Sequence, residues 1–188
     1  MTTRAELKKT IVLVGMMGSG KTAVGRALAT FLAVPFRDSD AAVVEAANMS
    51  IAEIFERDGE AFFRKKEAQI IARLMELDPP GILSTGGGAF LNPETRAVVA
   101  SAGVSVWLQA SEPILWDRVR TKDTRPLLRT ADPRATLRTL LAEREPVYSE
   151  AGVSVEADAK LSVAEMALKV SETLMRERPD VLQRIEDA

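Results

Sequence analysis

The sequence predicts an α/β fold, a parallel sheet of five short strands covered by helices. Three observations carry that prediction. Short apolar runs alternate with stretches of helical periodicity, the first run ends in a glycine loop that opens a helix, and 188 residues with 46% apolar content bury one sizeable core rather than two.

The elements follow in order. Thr10-Ile11-Val12-Leu13-Val14 is a β-branched strand, and Lys21 to Leu32 carries Val24, Leu28 and Leu32 at helical spacing. Pro35 to Asp38 reads as a short second strand, followed by a helix from about Ala41 to Asn48. Ser50 with Glu53 has capping-box spacing and opens a further helix, which Gly59 interrupts before Glu60 to Leu77 continues. Ile82-Leu83-Ser84 is a third strand running into Gly86-Gly87-Gly88, and Asn92-Pro93 caps a helix to Ser101. Val104 to Leu108 is a fourth strand, and Ser111 caps a helix to about Arg120. Thr121 to Pro133 is polar and proline-broken, which predicts a mobile loop. A helix from Pro133 to about Glu145, a strand at Val153 to Val155 and a helix from Ser162 to Glu177 complete the chain, and the charged tail after Pro179 is expected to fray. Strands separated by helices imply right-handed crossovers and hence parallel pairing.

Composition removes whole classes of chemistry. Without cysteine or histidine there are no thiolate nucleophiles, histidine bases or disulfides, and the usual transition-metal ligands are missing. Carboxylates, Lys, Arg, hydroxyls and backbone amides remain. A net charge of -2 argues against a nucleic-acid-binding surface. No apolar run spans a membrane and the start lacks a secretory signal, so a cytoplasmic, monomeric protein is expected. Charge is uneven, however. Arg118 to Arg144 holds seven arginines and Lys122 against Asp123, Asp132 and Glu143, so this stretch should face an anion.

Gly15-Met16-Met17-Gly18-Ser19-Gly20-Lys21-Thr22 fits G-x-x-x-x-G-K-[ST] between a strand and a helix, the context in which that pattern cradles nucleotide phosphates. A chance match in a chain of this size arises roughly once in a hundred. The glycines Gly15, Gly18 and Gly20 let backbone N–H groups from Ser19 to Ala23 turn toward phosphate oxygens at the positive end of the helix dipole. Lys21 is placed to reach the β- and γ-phosphates of ATP and Thr22 to ligate Mg²⁺.

Ligands of an open parallel sheet collect at the carboxyl ends of its strands, where Asp38-Ser39-Asp40 and Ser84-Thr85-Gly86-Gly87-Gly88 lie. Asp38 is suited to hold Mg²⁺ and Asp40 to take a proton from an acceptor hydroxyl, with helix capping as the competing reading. The triple glycine permits close approach of a ligand, against the alternative of a simple turn. Arg125 in the polar loop is suited to close over the γ-phosphate, and Arg144 to grip a carboxylate.

These motifs together resemble the shikimate kinase family, and the likeness runs from about Thr10 to Leu174. It is carried by the phosphate loop, Phe36-Arg37-Asp38-Ser39-Asp40, Ile51 to Phe55 with Gly59-Glu60-Ala61-Phe62-Phe63-Arg64 and Glu67, Gly86-Gly87-Gly88, Arg125-Pro126-Leu127-Leu128, and Arg144-Glu145-Pro146-Val147-Tyr148. The resemblance implies a three-layer P-loop kinase fold, with a helical substrate-binding insert at about 38–64 and a lid at about 121–133. It implies transfer of the γ-phosphoryl group of ATP to the 3-hydroxyl of shikimate. By it, Lys21, Asp40 and Arg125 carry the chemistry, with Asp40 as base. Arg64 and Arg144 hold the shikimate carboxylate beside Gly86, Gly87 and Gly88, Arg118 stacks on adenine with Lys160 near it, and Thr22 and Asp38 share Mg²⁺.

A GTPase would need a guanine-reading Asn-Lys-x-Asp segment, which is absent. A gluconate or nucleoside monophosphate kinase and a noncatalytic ATP-binding scaffold are the rivals. The extension Met1 to Lys9 and the tail suggest no function.

Overall fold

A computed structural model describes residues 5–122 and 126–185. Five strands form one parallel sheet: β2 (Thr10–Val14), β3 (Phe36–Asp38), β4 (Ile82–Ser84), β5 (Gly103–Gln109) and β6 (Val153–Glu156), in the order β3-β4-β2-β5-β6. All four pairings are parallel, as the strand–helix alternation predicts. β2 is buried along its whole length because it is hydrogen-bonded on both sides and covered by helices, which is why its sequence is continuously apolar.

Seven α-helices connect the strands: α1 (Lys21–Leu32), α2 (Ser39–Ala47), α3 (Ile51–Met75), α4 (Pro93–Ala102), α5 (Glu112–Val119), α6 (Pro133–Tyr148) and α7 (Val163–Glu177). α1 and α7 pack together on the sheet, while α4 lies on β5 with α3 beside it. α7 buries Met166, Ala167, Val170, Ser171 and Leu174, one stripe at helical spacing. The Ser50–Glu53 capping box forms with both bonds present, and α3 is broken at Gly59, whose φ of 83° and ψ of 170° lie outside helical space.

Two expectations are corrected. α6 does not stop near Glu145 but runs on to Tyr148 through Pro146. The proline forfeits one backbone bond near the helix end, and complete burial of Tyr148 holds the last turn in place. The tail does not fray after Pro179. β1 (Ala5–Leu7) pairs antiparallel with β7 (Leu182–Arg184), clasping the two ends of the chain together. Its anchor is apolar: Val181 and Leu182 are fully buried in the main core.

The strand order reverses at β2, so the carboxyl ends of β3, β4 and β2 open onto one crevice. Register sharpens this, since Asp38 lies opposite Ser84, and Ser84 opposite Leu13. Asp38 and Ser84, the last residues of β3 and β4, therefore stand in a row with Leu13, the residue before the last of β2.

Candidate active site

The loop from Gly15 to Gly20 wraps the N-terminus of α1. Gly15, Gly18 and Gly20 have φ of 139°, 80° and 97°, values that L side chains rarely adopt. At Gly18 a Cβ would also stand 2.7 Å from a methyl carbon of Val119, so the loop is pressed against α5. Lys21 is buried, and its Nζ donates to the carbonyls of Gly15 at 2.8 Å and Met16 at 2.9 Å, which fixes the ammonium at the loop. Arg118 donates from Nη1 to the Gly18 carbonyl at 3.0 Å, so α5 delivers a guanidinium to the outside of the same loop.

Asp38 serves both of the uses weighed from sequence. Its Oδ1 accepts from the N–H groups of Asp40 (2.9 Å) and Ala41 (3.1 Å) and caps α2. Its Oδ2 lies 3.5 Å from the Thr22 hydroxyl, which is also 3.3 Å from Ser84 Oγ. Three hard oxygen donors thus converge next to the phosphate loop, a set suited to Mg²⁺, which binds few protein ligands and retains water and phosphate oxygens. Ser84 is expected from sequence at the nucleotide end of its strand, and register adds its place beside Thr22 and Asp38.

The three consecutive glycines organise the opposite wall. Each touches a different functional group. A Cβ on Gly86 would stand 2.9 Å from Asp40 Oδ1 and 3.1 Å from Glu67 Oε1, one on Gly87 would be 3.5 Å from the Met17 nitrogen and 3.6 Å from Arg144 Nη1, and one on Gly88 would overlap the Arg64 guanidinium at 2.4–2.6 Å. None of the three has positive φ, so glycine is required here by space rather than by backbone conformation. The turn lets Asp40, Arg64 and Arg144, from three different helices, meet on one strip of backbone facing the phosphate loop.

Supporting groups fix this wall. Glu67 is only 2% exposed, and its Oε2 accepts from Arg64 Nη1 at 2.8 Å. Burial pushes the Glu67 carboxyl up, Arg64 draws it back down, and Asp40 and Glu60 add to the rise. Tyr148 donates its hydroxyl to the Gly87 carbonyl. Burial raises the Tyr148 phenol, opposed by the charges of Arg144 and Arg64, so both guanidiniums act on one point. Arg144 is itself buried, with 8% of its surface exposed. Glu67 and Tyr148 stand three and four residues after Arg64 and Arg144, helical spacings that were available as a signal of partnership.

The structure therefore brings together Gly15, Gly18, Ser19, Gly20, Lys21, Thr22 and Ala23 with Asp38, Asp40, Arg64, Gly86, Gly87, Gly88, Arg118 and Arg144 around one crevice. Lys160 stands on the loop between β6 and α7. That side chain is exposed and makes no bond among the described residues, only its backbone N–H donating to Asp158 at 2.8 Å. Arg125 lies outside the described residues.

Comparison with known proteins places the chain in one family. A family model described as shikimate kinase matches residues 17–175. A shikimate kinase of Ruegeria pomeroyi is 61% identical over 179 residues, covering 95% of this chain and 91% of that protein. One from Cereibacter sphaeroides is 58% identical, covering 95% and 88%. A solved shikimate kinase from Acinetobacter baumannii, in complex with shikimate, superposes with a TM-score of 0.85 at 33% identity, covering 90% of this chain and 94% of that one.

Proposed function

Since the chain belongs to the shikimate kinase family, we propose that the crevice transfers the γ-phosphoryl group of ATP to the 3-hydroxyl of shikimate, with a separate task for each residue around it. The observation that supports this most is the meeting of Asp40, Arg64 and Arg144 at Gly86 to Gly88 across from Lys21.

Arg64 and Arg144 grip the substrate carboxylate from two helices, which fixes the ring so that one hydroxyl faces the phosphate loop. Asp40 accepts the proton of that hydroxyl as its oxygen bonds to the γ-phosphorus and the bond from γ-phosphorus to the β–γ bridging oxygen breaks. ADP then carries away the bridging oxygen. Lys21 and the loop N–H groups balance the charge on the phosphate oxygens through the transfer. Thr22 and Asp38, with Ser84 beside them, are the residues that hold Mg²⁺, which when bound neutralises β- and γ-phosphate charge. Arg118 stacks on the base, with Lys160 near it. The segment 121–133, with Arg125, closes as a lid and excludes water, a competing acceptor. The insert at about 38–64 carries Asp40 and Arg64. The enzyme acts as a cytoplasmic monomer, and no helix among the described residues is long and apolar enough to cross a membrane.

The test is coupled ADP release with MgATP and shikimate, run beside gluconate and nucleoside monophosphates. Shikimate should be the acceptor, and Arg64→Ala and Arg144→Ala should chiefly raise its KM. Absence of shikimate-dependent turnover above the ATPase background would overturn the substrate, and unchanged shikimate affinity in both arginine variants would overturn the carboxylate grip.

A further inference from the structure

A second cavity lies behind the insert, between α2 and α3, and none of the roles above uses it. Its volume is about 280 Å³, at the small end of the range for ligand sites. The floor is apolar. Val43 and Ile54, each 2% exposed, belong to a small cluster separate from the main core, with Ile70 packed against it. The rim is cationic. Arg57 is already paired with Asp58 at 2.8 Å, which leaves Lys66 and Arg73 without an acidic partner among the described residues. Lys66 stands 5.5 Å from the centre of the Phe62 ring, and that ring is 40% exposed at the mouth.

Both halves of this chemistry select the same class of ligand. An apolar floor rewards a body without polar groups, and two unpaired cations reward a single anionic head. The volume of about 280 Å³ suits a small molecule better than a nucleotide. We propose that this cavity binds a small carboxylate with an apolar body, and that its occupancy changes the affinity for shikimate.

The coupling follows from the geometry of α3 and rests on the reading in which Arg64 holds the acceptor. Along this helix Phe62, Lys66, Gln69 and Arg73 turn toward the cavity, at offsets of four, seven and eleven residues. Phe63, Glu67 and Ile71 form the adjoining buried stripe, Phe63 in one cluster with Val43 and Ile54 of the cavity floor, and Glu67 is the partner of Arg64. The cavity lining also includes Ile54 and Arg57 from the half of α3 before Gly59, and Phe62 and Lys66 from the half after it. The two halves meet at Gly59, where φ is 83° and a Cβ would meet no atom within 4 Å, so no neighbouring group packs into the bend on that side. A ligand that touches both halves fixes the angle between them, and so fixes where Arg64 stands relative to Gly88.

The experiment uses the full chain with shikimate at saturation, so that the carboxylate grip of the active site is occupied. Calorimetry measures binding of 3-phenylpropanoate, of 3-phenylpropanol as its uncharged counterpart, and of inorganic phosphate as a head without a body. The carboxylate should bind, with the alcohol and phosphate each weaker by about tenfold or more, the difference a charge-assisted hydrogen bond supplies. Ala46→Phe, an exposed α2 position on the cavity lining, should abolish binding, and Lys66→Gln with Arg73→Gln should weaken it by about tenfold. The carboxylate should shift the shikimate KM of the parent enzyme and leave that of Ala46→Phe unchanged. No binding by the parent, equal binding by Ala46→Phe, or equal binding of the alcohol overturns the site. Binding with no shift in KM overturns the coupling. Shikimate turnover without the carboxylate is recorded in parallel, so failure of the substrate assignment shows there and is not mistaken for failure of this site.

Discussion

Gly88→Ala isolates the steric role of the triple glycine. At Gly88 φ is -97° and ψ is -8°, a negative-φ turn conformation open to alanine, so the backbone penalty is small beside the steric one. Its Cβ would stand 2.4–2.6 Å from three atoms of the Arg64 guanidinium. Carbon contacts relax near about 3.5 Å, so the guanidinium must retreat by about 1 Å. It is the far end of a flexible side chain, and the fold survives the shift. The catalytic geometry does not. A misplacement of that size costs on the order of a hundredfold, or about 2.7 kcal/mol of transition-state binding. The retreat also strains the 2.8 Å bond that compensates buried Glu67. Coupled ADP release with shikimate varied at saturating MgATP should show the shikimate KM raised by about tenfold to a hundredfold, with the KM for ATP and the thermal midpoint little changed. A shikimate KM within about twofold of the parent, or an equal rise in the KM for ATP, would refute the reasoning.

Lys21→Ala should lower kcat by about a thousandfold or more while shikimate still binds by calorimetry; activity above about a tenth of the parent would contradict the role of the ammonium. Tyr148→Phe removes the donor to the Gly87 carbonyl. That carbonyl belongs to a half-buried residue, so the loss is about 1 kcal/mol, seen as a lower urea midpoint at constant m, and an unchanged midpoint would sink it. In the terminal clasp, Arg178 and Lys9 hold the Asp180 carboxyl well below its ordinary value of 3.8. A depressed folded-state value means stability present above that ordinary value and lost as pH falls below it. Asp180→Asn should therefore lower the urea midpoint near neutral pH and approach the parent in acid; a gap that persists in acid would exclude the linkage.

The phosphate loop, the strand–helix alternation and the Ser50–Glu53 capping box were legible in the sequence because each depends on residues within a few positions of one another. Gly59 announced its break in α3 for the same reason. The terminal clasp was not legible. Ala5 to Leu7 and Leu182 to Arg184 are too short to register as strands, and each is a strand only because the other end of the chain lies beside it. Ser84 was legible at the nucleotide end of its strand, and register added its place opposite Asp38.

By itself the sequence determined which groups were available, since a chain without histidine or cysteine leaves the work to Lys21, Asp38, Asp40 and the arginines. It also determined, through spacing, where helices start and where the phosphate loop sits. Spacing alone did not separate Arg64 from its neighbour Arg57; the family resemblance named Arg64, and the tertiary structure shows how the two differ. Arg64 and Arg57 look alike in one helix, yet Arg57 pairs with Asp58 at the surface while Arg64 is driven against Gly88 and held by buried Glu67. The difference arises from long-range packing, because the wall that meets Arg64 is built by β4, some twenty residues away and on another element.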